Sequence, residues 1–200
     1  SAYFNVANLM VEIGQYDHAI GCYKNALNIN PHYIEAYRNL ASILKGRTIL
    51  TPDPELNNLI LNMLNLGNIV RPKDIAPTAL SIIKLDPHFQ HFLKIQSEEA
   101  QKKSIVLFKT LLEKNPLLSK LVTSCPLPDK DLEFILTDFR REILLNRMEL
   151  PRNLDLSILY SFIAMQCFIN EYIYSQTSEE TVALAKLEKS VEELLSKQQQ

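Results

Sequence analysis

The sequence predicts an all-α protein in which a short array of helical repeats runs into a compact helical domain. Three observations support this class. Residues 2–7 read AYFNVA and residues 36–41 read AYRNLA, so nearly the same six residues recur after 34 positions. Apolar residues follow helical spacing along most of the chain. No stretch reads convincingly as a β-strand.

Size and composition are those of a globular protein. The 200 residues suffice for one sizeable core or one domain with an appendage. Apolar residues make up 46% and charged residues 22%, and the net charge of −2 gives no reason to expect a nucleic-acid partner. A local basic cluster also contains acidic residues, so a solvated helix face explains it best. The cluster comprises Arg140, Arg141, Arg147 and Arg152.

The first unit of the repeat predicts two antiparallel helices. Ala7 and Ala19 are small at positions where the two helices must approach closely. Tyrosines at positions 3, 16 and 23 are expected to fill the wider gaps. Gly14 relaxes the backbone at the turn, and Pro31 cannot continue the second helix.

This pattern resembles the tetratricopeptide repeat, a helix–turn–helix unit of 34 residues. The resemblance rests on Tyr3, Val6, Ala7, Met10, Gly14, Tyr16, Ala19, Tyr23, Ala26 and Pro31. It implies a groove lined by the first helices of successive units, and it implies recognition of a protein or an extended peptide in that groove.

The second unit begins as a copy and then departs. Residues 34–45 predict a first helix, but GRTILTP at positions 46–52 replaces the second. The array therefore stops after about one and a half units, whereas about three are usually needed for stability. We expect residues after 50 to cap the array and further repeats to precede Ser1 in a longer protein. The expected division is 1–46 repeat units, 47–176 helical domain and 177–200 C-terminal helix.

The remaining elements are also predicted as helices. Asp53-Pro54 predicts a helix start and Gly67 a stop. The apolar stretch 154–174 predicts the central buried helix of a bundle, because its uninterrupted apolar part is too short to span a membrane. Thr177-Ser178-Glu179-Glu180 predicts a capping box that opens the final helix. That helix places Leu184, Leu187, Val191 and Leu194 on one stripe.

The sequence contains no pattern that predicts catalysis. Its four glycines are too widely separated for a dinucleotide-binding or phosphate-binding loop. His88 and His91 share a helix face, but three-residue spacing without a further ligand indicates packing rather than metal binding. We expect no cofactor and no metal. Three separated cysteines in apolar runs, Cys22, Cys125 and Cys167, indicate reduced, buried thiols in a cytoplasmic protein.

Asn5 and Asn39 occupy equivalent positions on the first helices of the two units. In the O-linked N-acetylglucosamine transferases, whose arrays these units resemble, asparagines at this position hydrogen-bond an extended peptide backbone. Asn8, Arg38 and Lys45 are expected in or near the same groove. Equally, Asn5 and Asn39 could only satisfy backbone or water at the seam between units. The resemblance to chaperone-tail binders fails at Phe4, where a lysine is required.

Residues 115–180 carry a second resemblance, which rests on LLSKLV, DLEFILTDFRREIL and QCFINEYIY in that order. They resemble the helical region before the catalytic domain of bacterial tetratricopeptide-containing methyltransferases that use S-adenosylmethionine. Gln166, Asn170 and Glu171 are interpreted as buried hydrogen-bond formers or, alternatively, as a face that docks the next domain.

The combined interpretation is a non-catalytic region of a larger bacterial enzyme, with a methyltransferase as the leading candidate, that binds a protein or peptide. A free-standing scaffold and the repeat region of a glycosyltransferase are the alternatives. The exposed face of the terminal repeat could stack on a second copy and form a homodimer.

Overall fold

The computed structural model describes residues 1–96, 101–145, 157–171 and 176–198, and within these ranges the chain is helical without a strand. The helices are α1 (Ala2–Glu12), α2 (Tyr16–Ile29), α3 (Ile34–Leu44), α4 (Pro54–Leu66), α5 (Pro72–Ile83), α6 (Pro87–Gln96), α7 (Gln101–Lys114), α8 (Pro116–Val122), α9 (Lys130–Leu144), α10 (Ser157–Ile169) and α11 (Ser178–Gln198). The predicted all-α class is confirmed.

Helices α1 and α2 form the predicted hairpin. The Ser1 side chain accepts a hydrogen bond from the Phe4 N–H at 3.3 Å and so caps α1. Gly14 makes the turn with a φ of +75°, which residues with a Cβ rarely adopt. Ala7 and Ala19 have no exposed surface, because small side chains let the two helices approach closely at these points.

The three tyrosines of the first unit differ in how far they are buried. Tyr23 is buried as predicted, but Tyr3 and Tyr16 are exposed, so the expectation that they fill interior gaps is wrong. Tyr37 stands at the position of Tyr3 in the second unit and is fully buried. The difference arises because α3 packs against α2 and α4, whereas no described element covers the equivalent part of α1.

The second unit ends where the sequence predicts. Helix α3 stops at Leu44, Gly46 follows with a φ of +73°, and residues 45–53 contain no helix. Asp53 then accepts a hydrogen bond from the Leu56 N–H at 2.9 Å and caps α4, with a proline in the first turn. Gly67 closes α4 in the left-handed conformation, as expected.

Helices α4 and α5 pack on the end of the array. The Lys24 ammonium of α2 lies 2.8 Å from carboxylate oxygens of both Asp53 and Glu55, which ties α2 to the start of α4. The Thr78 hydroxyl donates to the Leu44 carbonyl at 2.5 Å, which satisfies a carbonyl at the end of α3. These contacts confirm that residues after 50 cover the end of the array.

Four phenylalanines connect the central helices of the chain. Successive ring centroids lie 6.2 Å apart between Phe89 and Phe92, 5.4 Å between Phe92 and Phe108, and 5.3 Å between Phe108 and Phe139. All four rings are fully buried and come from α6, α7 and α9. The tilted geometry is the one that aromatic pairs prefer, so this row of rings forms the centre of the core in this part of the chain.

The expectation that residues 154–174 form a central buried helix is wrong for the residues that the structure describes. Only Leu159, Ile163 and Gln166 of α10 are buried. Ile158, Tyr160, Met165 and Phe168 are exposed, because α10 packs on α8 along one face only. Residues 154–156 and 172–174 of the same stretch lie outside the described ranges.

Gln166 is a buried hydrogen-bond former, which is one of the two interpretations of this segment. Its side-chain amide donates to the backbone carbonyls of Val122 and Cys125, the latter at 3.2 Å. It thereby satisfies one carbonyl at the end of α8 and one just beyond it, and it fixes α10 against that helix. Asn170 is half-buried and Glu171 is exposed, so only Gln166 has the interior position.

The capping box at the start of α11 is confirmed. The Glu180 N–H donates to the Thr177 hydroxyl at 3.2 Å, and the Thr177 N–H donates to the Glu180 carboxylate at 2.8 Å. The same carboxylate is fully buried and pairs with Arg140 at 3.0 Å and Arg141 at 3.3 Å. The prediction that this basic cluster is a solvated face is wrong for these two arginines. Arg147 and Arg152 lie outside the described ranges.

Burial raises the pKa of the Glu180 carboxyl, but the Thr177 N–H and the two guanidinium groups outweigh that effect. The pKa of Glu180 therefore lies below its usual value, and the group is a carboxylate at neutral pH. Glu180 thus holds α11 against α9 by charge as well as by packing.

The three cysteines are free, as expected. Cys125 is buried, and burial raises the pKa of its thiol to about 11. Cys22 and Cys167 are only half-buried, so the expectation of buried thiols is correct for Cys125 alone. None of the described helices combines the length and apolar character that crossing a bilayer requires.

Candidate functional site

The candidate site lies where the first helices of the two units meet. Asn5 and Asn8 stand three residues apart on α1 and so share a face of that helix. Asn39 lies on α3, one repeat period after Asn5. Tyr23 reaches the same place from the middle of α2.

Asn8, Tyr23 and Asn39 form a connected polar cluster, which we call the amide cluster. The Asn39 side-chain amide donates to the Asn8 Oδ1 atom at 2.9 Å, and the Tyr23 hydroxyl donates to the same oxygen at 2.6 Å. Both lone pairs of that oxygen are therefore occupied. Burial raises the pKa of Tyr23, while the neighbouring Asn39 side chain acts in the opposite direction, so the phenol remains a donor.

These bonds leave complementary groups on the two asparagines. The Asn8 Nδ2 amino group and the Asn39 Oδ1 carbonyl have no hydrogen-bond partner among the described residues, and both side chains are half-exposed. An amide amino donor and an amide carbonyl acceptor are the groups that pair with the C=O and N–H of a peptide unit. Because Asn8 and Asn39 bond to each other, the pair is held in one arrangement before a ligand arrives.

The structure does not bring Asn5 into the amide cluster. Its side chain is exposed, and it makes no hydrogen bond within the part of the chain that the structure describes. The partner of Asn39 in the preceding unit is Asn8, not Asn5. Asn39 thus makes a contact at the seam between the two units, but with the Asn8 side chain rather than with the backbone or water considered from the sequence.

Of the two basic candidates, Arg38 directly precedes Asn39 on α3, and Lys45 follows the end of that helix. Arg38 is exposed and makes no ion pair with a described residue. The Lys45 ammonium lies 3.2 Å from the Asp74 carboxylate of α5, although its side chain remains more than half exposed. Arg38 thus has no ion-pair partner among the described residues and lies one position before Asn39, whereas the charge of Lys45 is partly compensated.

Sequence reasoning missed the contact between Asn8 and Asn39 and the polar role of Tyr23. A usable signal was the separation of 31 residues, which is one repeat period less one helical turn. Two side chains so related can approach when neighbouring helices are offset by a turn. The hydroxyl of Tyr23 carried no such signal, because the repeat pattern treats that position as a packing residue.

The described residues hold no group of three or more histidine, cysteine or acidic side chains that could bind a metal ion. His88 and His91 are both exposed on α6. A cleft between α9, α10 and α11 is lined mostly by apolar residues.

Comparison with known proteins gives one finding. Residues 7–46 match the family model described as a TPR repeat, which covers most of α1, all of α2 and α3, and the amide cluster. Searches of curated proteins and of solved structures found no match. The chain therefore carries a TPR repeat, and repeats of this type generally mediate protein–protein interaction.

Proposed function

We propose that the chain binds an extended segment of a partner protein across α1 and α3, with the amide cluster as the central contact. The observation that carries this proposal is the hydrogen bond between Asn8 and Asn39, which leaves an amide donor on Asn8 and an amide acceptor on Asn39 without a partner among the described residues. Such a pair recognises a peptide backbone rather than a particular side chain. Asn5 and Lys45 flank the cluster and would extend the contact along the peptide.

Arg38 supports a preference among peptides. Its exposed guanidinium group lies on the residue next to Asn39 and makes no ion pair with a described acidic residue. A carboxylate on the peptide could form a charge-assisted, bidentate hydrogen bond with it. We therefore expect peptides with an acidic residue beside the recognised backbone unit to bind more tightly than neutral ones.

Replacing Asn8 and Asn39 together by alanine is expected to weaken peptide binding about tenfold to a hundredfold, since each lost hydrogen bond contributes about 0.5 to 1.5 kcal/mol. A peptide array would first identify ligands of the wild-type chain, and fluorescence anisotropy would then give the affinities. Asn58→Ala is the matched control, because Asn58 is an exposed asparagine on α4 away from the cluster. It should bind like the wild type.

Circular dichroism and urea denaturation would establish that all variants are folded. Equal affinities for the wild type and the double variant would mean that the amide cluster serves only to join the two units. Asn5→Ala measured alone would show whether the contact continues along α1.

We further propose that this chain is the non-catalytic part of a larger cytoplasmic enzyme of bacterial origin. The support is the resemblance of residues 115–180 to the region before methyltransferase domains. A free-standing scaffold and the repeat region of a glycosyltransferase remain the alternatives. The neighbouring coding sequence distinguishes them: a strand followed by a glycine-rich loop favours the methyltransferase, a nucleotide-sugar domain the glycosyltransferase, and a stop codon the scaffold.

A further inference from the structure

The second half of α11 presents an apolar stripe that nothing in the described structure covers. Leu187, Val191 and Leu194 are 53%, 45% and 62% exposed and lie on the same face of the helix. Every residue from 185 to 197 is exposed. Such a long helix with a bare apolar stripe gains stability only when another surface packs against it.

The first half of α11 forms one wall of an apolar cleft. The cleft has a volume of about 610 Å³, and α9 and α10 form its other walls. Its apolar lining includes Ile143, Tyr160, Ile163, Cys167, Leu184 and Leu187. Leu187 belongs both to the cleft and to the stripe, so the two surfaces are continuous along one helix.

We propose that two copies of this chain associate through α11, packed antiparallel about a two-fold axis. Leu184, Leu187, Val191 and Leu194 are spaced by three, four and three residues. An antiparallel arrangement places Leu184 against the partner's Leu194, and Leu187 against the partner's Val191. The projecting half of each α11 then enters the cleft formed by the first half of the other.

The occupant is a second copy because the two surfaces are complementary within one chain. A two-fold interface requires that one patch match itself after rotation. The open cleft lies at the first half of the apolar face of α11, and the unpartnered stripe lies at its second half. One two-fold rotation therefore places the stripe of each copy in the cleft of the other. Ala183 and Ser190 border one side of the stripe and are small enough for the helices to approach.

The apolar stripe of α11 is too short to hold a stable dimer without further contacts. Two heptads are too short for a stable coiled coil by themselves, and stable interfaces usually bury about 1,000 Å² or more. The walls of the two clefts supply the additional area. Near the two-fold axis, Glu188 of one copy lies beside Glu188 of the second copy, and the repulsion between these two carboxylates weakens the dimer. We therefore expect a reversible dimer that added salt strengthens.

Sedimentation equilibrium of the full chain under reducing conditions, over a hundredfold range of concentration, tests this proposal. The wild type should show a monomer–dimer equilibrium, and Leu194→Glu should be a monomer with unchanged circular dichroism. Val182→Glu is the matched control, because Val182 is an exposed apolar residue of α11 on the opposite face from the stripe. It should dimerise like the wild type.

Alkylation of Cys167 gives a second measurement, since this half-buried thiol lines the cleft. Its rate should fall as the wild-type concentration rises, but not in Leu194→Glu. A wild type that is monomeric throughout the range would overturn the proposal. So would a Leu194→Glu dimer as tight as the wild type, which would place the interface elsewhere, for example on the exposed face of α1.

Discussion

Replacing Phe108 by alanine is expected to lower the free energy of unfolding by about 3 to 5 kcal/mol, which is the usual cost of removing a buried phenylalanine ring. Phe108 has no exposed surface and lies between Phe92 and Phe139, with ring centroids at 5.4 and 5.3 Å. Its removal leaves a cavity where α6, α7 and α9 meet. Urea denaturation followed by circular dichroism measures the loss.

The matched control for this substitution is Phe134→Ala. Phe134 lies on α9 and is 73% exposed, so its loss should change the free energy of unfolding by less than about 0.5 kcal/mol. If Phe108→Ala does not fold, Phe108→Leu should still fold at a cost of roughly 1.5 kcal/mol. A loss below 1 kcal/mol in Phe108→Ala would contradict the assignment of this ring to the centre of the core.

Replacing Glu180 by glutamine is expected to cost about 3 kcal/mol, because it leaves the charges of Arg140 and Arg141 without their buried partner. The side chain keeps its shape, so the loss reports the charge rather than packing. Glutamine can still accept a bond from the Thr177 N–H, which keeps part of the helix cap. Urea denaturation measures the effect, and Glu192→Gln at an exposed site on the same helix is the control.

The pH dependence of the Glu180 contact has a definite sign. Its pKa in the folded chain lies below the ordinary value of 4.5. The stabilisation is therefore fully present above about pH 4.5 and is lost as the pH falls through the lower, folded-state pKa. The difference between wild type and Glu180→Gln should accordingly shrink in acid. A difference that stays constant down to pH 2 would mean that charge does not hold α11 in place.

The limits of the helices follow closely from local sequence. Asp53-Pro54 starts α4, Gly67 ends it, and Thr177 with Glu180 opens α11. These signals are readable because a cap satisfies backbone groups within three or four residues. The repeat was equally readable, since two units 34 residues apart carry the same packing pattern.

Hydropathy alone did not predict which helix faces are covered. The apolar stretch that includes α10 suggested a central buried helix, but half of the large side chains of α10 are exposed, because among the described helices α8 makes its main contact with α10 and covers one face. Burial depends on which elements meet, and hydropathy describes only what each element could bury. The same limit applies to the candidate site. The repeat pattern identified the asparagines as candidates, but it did not predict the hydrogen bond between Asn8 and Asn39.

The sequence by itself determined that this chain is helical, that it carries a tetratricopeptide unit, and where most of its helices begin and end. Those properties depend on contacts within a few residues or on a regular period. Only the tertiary structure decided that Asn39 pairs with Asn8, and that Arg140 and Arg141 bury their charges against Glu180. Each of these contacts joins residues more than thirty positions apart, and no local pattern specifies which distant side chain completes a hydrogen bond or an ion pair.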